Sequence, residues 1–109
     1  MHGFVEAEQR AAGVALAEVE PLTVLLVWTW HSVYRIVLIE GNEVLVEGGP
    51  FFSNPTRAHL EGASTGGGAV KAGWIGVGHL MAIRISGQVI LTSPVIAVAT
   101  QGHTLTAVH

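Results

Sequence analysis

Apolar positions in the first half of the chain fall into runs that are too short and too β-branched for helices. Thr23-Val24-Leu25-Leu26-Val27-Trp28-Thr29-Trp30 is one run, and Val33-Tyr34-Arg35-Ile36-Val37-Leu38-Ile39 follows after His31-Ser32. Both predict strands. Gly41-Asn42, between Glu40 and Glu43, is a two-residue hairpin signal. Glu43-Val44-Leu45-Val46-Glu47 then alternates until Gly48-Gly49-Pro50 breaks it. These three segments read as a meander. Further on, Asn54-Pro55 marks a turn and residues 56–61 a short strand. The glycine-rich stretch 62–68 reads as a flexible loop. Residues 73–85 return to strand, with Gly76 and Gly78 marking a bulge or a close backbone approach. Ser86-Gly87 is a second hairpin turn. Residues 88–99 form the last long strand, which Pro94 restricts to an edge or a bulge because proline donates no ladder hydrogen bond.

Ahead of these strands, residues 5–19 are rich in Ala and Glu, and Val5, Ala12, Leu16 and Val19 fall near one helical face. This predicts a short N-terminal helix ending before Pro21, with an extended path over 14–19 as the competing reading. The expected architecture is mainly β: a small antiparallel barrel or sandwich of five to six strands with a short N-terminal helix. It divides into an N-terminal segment (1–21), a β domain (22–99) and a polar C-terminal tail (100–109). No internal repeat is visible.

The two central strands are apolar on both faces, whereas one face of a small antiparallel sheet ordinarily meets water. Something must cover the second face. The N-terminal helix would cover part of it, and a second copy of the chain the rest. A homo-oligomer is therefore expected, with Leu26, Trp28, Trp30, Tyr34, Ile36 and Leu38 as the apolar residues for core and self-contact. Which of them point inward is not decidable from the sequence, though Trp28 and Trp30 share a strand face and are expected to be buried.

Composition narrows the field. The chain has 109 residues, which suits one domain. Only 12% are charged and half are apolar, with a net charge of −3, which excludes intrinsic disorder and a basic nucleic-acid-binding tail. The absence of Cys removes disulfide scaffolds, zinc–thiolate sites and thiol catalysis. The opening residues lack the basic and apolar regions of a secretory signal. The most apolar run, 22–31, is about half of the roughly 20 residues that a spanning helix needs. A cytoplasmic location without membrane contact is the expectation.

Three motifs, Ser32-Val33-Tyr34-Arg35-Ile36-Val37, Glu43-Val44-Leu45-Val46-Glu47-Gly48-Gly49-Pro50-Phe51-Phe52 and Thr92-Ser93-Pro94-Val95, resemble those of a set of short uncharacterised bacterial β proteins. The resemblance spans about residues 24–98. It implies a small β domain and carries over no active-site residues.

Candidate chemistry is sparse. His31, His59, Glu61 and His79 are the side chains that would have to converge to hold a metal, which needs three or four ligands from separate segments. A histidine on an apolar face is more often a hydrogen-bonded core or interface residue, so no metal or cofactor is assigned. Nothing resembles Gly-x-Ser-x-Gly, and adjacent His31 and Ser32 would face opposite ways on a strand. The glycines before Lys71 lack the spacing and the following Ser or Thr of a phosphate loop. Arg35, Arg57, Lys71 and Arg84 could line a nucleic-acid groove beside the aromatic residues, but phosphate contacts dominate such affinity and the net charge opposes it. The sequence thus points to a non-enzymatic, self-assembling structural domain, a ring, cage or filament unit. The alternative is a small-barrel module that binds single-stranded nucleic acid or a small ligand.

Overall fold

The computed structural model describes residues 13–103, without the side chains of 102 and 103. Among them the chain is almost entirely antiparallel β. The strands are β1 (Gly13–Ala15), β2 (Thr23–Thr29), β3 (Val33–Glu40), β4 (Glu43–Gly48), β5 (Phe52–Ser64), β6 (Val70–Ala72), β7 (Trp74–Gly76), β8 (Leu80–Ile85), β9 (Gln88–Leu91) and β10 (Val95–His103). The main sheet runs β10-β2-β3-β4-β5-β8-β9, β6 pairs with β5, and β1 and β7 form a separate two-stranded sheet.

The predicted meander is present. Glu40 pairs with Glu43 across a two-residue turn in which Gly41 adopts φ +60°. Such turns need positive φ, which glycine supplies without steric cost. Ser86-Gly87 closes the β8–β9 hairpin in the same way, with Ile85 opposite Gln88.

Alternation then decides the faces. Leu25 opposes Ile36, which opposes Val46; Leu38 opposes Val44, which opposes Ala58. All of them are buried, and with Val27, Tyr34, Phe52, Leu60, Met81, Ile83, Val95 and Val98 they form one core.

Several expectations need correction. Among the described residues ten strands stand where five to six were expected, and residues 62–64 of the expected loop belong to β5. Residues 1–12 lie outside the described part of the chain, but the rest of the predicted helix is not helical. Gly13–Ala15 is a strand and Leu16–Glu18 a single 3-10 turn. Its apolar residues are better satisfied by the core: Val14 and Leu16 are each 3% exposed. No closed barrel forms among the described residues. The start of β10 is instead tied to the segment between β7 and β8 by one parallel bridge, Val77 to Val95, with Gly78 N donating to Val95 O at 2.8 Å and Val95 N to His79 O at 2.9 Å. β1 and β7 fill the gap this leaves, β7 touching β5, β8 and β10. The turn at Asn54-Pro55 is an outward excursion within β5. Val46 pairs with Thr56 and Gly48 with Phe52, so β5 carries extra residues there and Pro55 is spared a ladder position. Finally, β10 continues to His103, opposite Thr23, so the tail's first residues belong to the sheet. The break in the last strand falls at 92–94, around Pro94.

The second face of the sheet is partly covered from within. Val24 and Val37 oppose each other on it and are 2% and 6% exposed. Leu22 folds toward them. It stands at φ +71°, held by Leu22 N donating to Leu38 O at 2.7 Å, and lines a shallow hollow with Arg35, Val37, Ile39, Leu45 and Glu47. Leucine in that backbone region costs roughly 1–2 kcal/mol, which apolar contact offsets.

Candidate functional site

The predicted self-contact residues separate into three environments. Tyr34, Ile36 and Leu38 are core residues, buried by the chain itself and unavailable to a partner. Leu26 and Trp28 lie on the opposite face, half-buried. Trp30, expected to be buried, is 70% exposed. It leaves β2 at the turn that Thr29 closes through its hydroxyl and Ser32 O, 3.0 Å apart, and its amide donates to Pro94 O at 3.1 Å.

That end of the sheet collects further apolar side chains. Val33 opposes Trp28 and is 50% exposed. Trp28 also opposes Ala97. The β10 register slips between Val95 and Ala97, and the extra residue, Ile96, is 54% exposed while Val95 is buried. Phe51, 66% exposed, lies in the turn after Gly48, which opposes Tyr34. Val33 and Ile96 were not singled out in the sequence, and Phe51 was considered only as an aromatic for stacking on nucleic acid. Their signal is position, since each is a large apolar residue in or next to a turn. Exposed apolar residues are ordinary singly; several gathered at one edge of a fold mark a contact surface.

Tyr34 anchors this end from below. Burial raises the pKa of its hydroxyl above the ordinary phenol value, against a smaller lowering by hydrogen bonding to Ser32.

The polar candidates do not converge. His31 is exposed, and its backbone amide meets Ser93 Oγ at 3.2 Å. His59 Nδ1 lies 3.4 Å from Asn42 Oδ1. Glu61 is engaged by Arg84, Nε to Oε2 at 3.0 Å and Nη2 to Oε1 at 3.4 Å. That hydrogen bond, aided by the charges of Arg84 and His59 and opposed by slight burial, holds its carboxyl below the ordinary range. His79 is exposed in the turn before β8. No group of three or more potential ligands meets among the described residues.

The four basic candidates for nucleic-acid contact are likewise dispersed. Arg57 is bound to Glu43 at 2.7 Å, Arg84 to Glu61, and Arg35 stands opposite Glu47 in the β3–β4 register. Lys71 lies over the Trp74 ring, 4.3 Å from its centroid. Three arginines each facing a glutamate make a charge-balanced sheet surface rather than a positive groove.

No helix among the described residues is long and apolar enough to cross a membrane. No protein-family model, curated protein or solved structure matches this chain.

Proposed function

We propose that this chain is a non-enzymatic, self-associating β unit with a structural role, and that its self-contact is the apolar end built by Trp28, Trp30, Val33, Phe51 and Ile96. The observation that carries the reading is the exposure of Trp30 beside other uncovered apolar residues. At 70% exposure, a tryptophan leaves on the order of 150 Å² in water, and covering it contributes about 4 kcal/mol at 25 cal/mol per Å². Association consumes part of that gain. Tryptophans that anchor interfaces cost about 2 kcal/mol or more on truncation, roughly a 30-fold weaker association constant.

The reading moves the expected excess of apolar surface. The middle of the second sheet face is partly covered by the chain's own residues, and the most exposed large apolar side chains, Trp30 and Phe51, sit at the Trp30 end. Sedimentation velocity over a range of concentrations tests it. The unaltered chain is expected to sediment as an oligomer, and Trp30→Glu as a smaller species with an unchanged far-ultraviolet spectrum, because the side chain is outside the core. A chain that is monomeric at every concentration, or a Trp30→Glu variant with the parental mass, would refute the proposal.

A further inference from the structure

The tryptophan of β7 has a different setting from Trp30. Gly13 and Gly76 oppose each other across the β1–β7 pair, and the Trp74 ring lies along the trough their missing side chains leave. A Cβ on Gly13 would stand 2.9 Å from Trp74 Cζ2, and one on Gly76 2.7 Å from its Nε1. The indole is therefore backed on one side by backbone. Above it, Ala63, Thr65, Val70, Lys71 and His79 join Trp74 in lining an open cavity of about 490 Å³, in the size range of small-molecule sites. The loop of 65–69 forms part of its rim.

The charges in this cavity are one-sided. Lys71 and His79 are the titratable residues in its lining, and no carboxylate lines it. Both salt bridges formed among the described residues belong to arginines, so the Lys71 ammonium has the Trp74 π-face as its partner. An exposed cation–π contact contributes only about 0.5–1 kcal/mol. A charge-assisted hydrogen bond to an anionic oxygen is stronger.

We propose that this cavity binds a small aromatic carboxylate, its ring stacked on Trp74 between the apolar walls of Ala63 and Val70 and its carboxylate held by Lys71. The indole, backed on one side by backbone, offers a flat π-surface whose ordering cost is reduced. Lys71 swings from the ring face to its edge to meet the anion. His79 offers a further donor near the same edge, since its Nδ1 would lie 3.1 Å from a Cβ on Gly76. The proposal shares no residue with the Trp30 surface and does not depend on self-association.

The test is a two-dimensional ¹H–¹⁵N NMR titration of the full chain with indole-3-carboxylate, with indole-3-carboxamide as the uncharged analogue. The Trp74 indole signal is assigned from Trp74→Phe. Saturable shifts are expected at the Trp74 Nε1–H and at the amides of Thr65 and Lys71, with the carboxamide binding at least about tenfold more weakly. Lys71→Met, at an exposed position, should remove that tenfold preference, with the carboxamide titration of the same variant as the reference. The proposal is overturned by equal binding of the two probes, by a Lys71→Met variant that keeps the preference, by shifts confined to Trp28 and Trp30, or by no saturable shift up to about 10 mM, a range that covers even weak sites.

Discussion

Placing a methyl group on Gly13 tests how β1 seals the fold. Gly13 has φ +145°, and a Cβ there would fall 2.1 Å from Ile75 O and 2.9 Å from Gly76 Cα. Both obstacles are backbone, so no rotamer change relieves the clash. Gly13→Ala must therefore push β1 away from β7. The loss is bounded by what β1 contributes when docked. Val14, Leu16 and the Ile75 they help to cover contribute about 1.5–3 kcal/mol each. The strand's hydrogen bonds add about 1 kcal/mol apiece, and ordering four residues costs about 1–2 kcal/mol each. The balance is about 3 kcal/mol. At 4–8 °C per kcal/mol for a domain of this size, the variant should melt more than about 10 °C lower. The Leu16 amide, which donates to Gly73 O at 2.8 Å, should lose its protection from hydrogen exchange. Gly41→Ala is the control: it also has positive φ but meets nothing within 4 Å, so only the backbone cost of about 1 kcal/mol applies. If Gly13→Ala melted like the parent, or no lower than Gly41→Ala, the sealing role of β1 would be refuted.

Ser86 adopts φ +51° at the first position of the β8–β9 turn, where Asn is better tolerated. Ser86→Asn should raise stability by about 0.5 kcal/mol, read as a higher urea midpoint with an unchanged slope; a lower midpoint would contradict the turn geometry. Tyr34 holds its proton more tightly folded than unfolded, because burial raises its pKa. Unfolding then releases that proton first, so stability falls as pH rises past the unfolded phenol value of about 10. Denaturant melts between pH 9 and about 11 should show this decline, and Tyr34→Phe should flatten it. An identical slope in both proteins would exclude Tyr34 as the source.

Much of the strand pattern was legible because it rests on local chemistry. Gly41-Asn42 and Ser86-Gly87 turn the chain wherever they occur, and the alternation in 43–47 assigns Val44 and Val46 to one face without reference to anything distant. Pro94 likewise interrupts pairing by its missing N–H alone. The site was far less legible. Trp28 and Trp30 look equivalent in the sequence, two apart on one strand, yet Trp30 lies past the end of β2, at the turn toward β3, where no strand lies beside it. His31, His59, Glu61 and His79 are chemically suited to a metal, but suitability says nothing of distance, and the fold gives Glu61 to Arg84 instead.

What the sequence by itself determined is a mainly antiparallel β domain, its hairpin turns and the single apolar face of β4, since side-chain period and turn preference are properties of neighbouring residues; the inward faces of β2 and β3, apolar on both sides, were left to the fold. Only the tertiary structure decided that residues 13–16 leave the helical pattern to plug the gap beside β10. Their helical preference is weak, and burying Val14 and Leu16 against strands some 60 residues away outweighs it. Tertiary contact also laid Trp74 on Gly13 and Gly76 beneath Lys71. No local rule could supply that arrangement, because the two glycines become neighbours only when β1 and β7 pair.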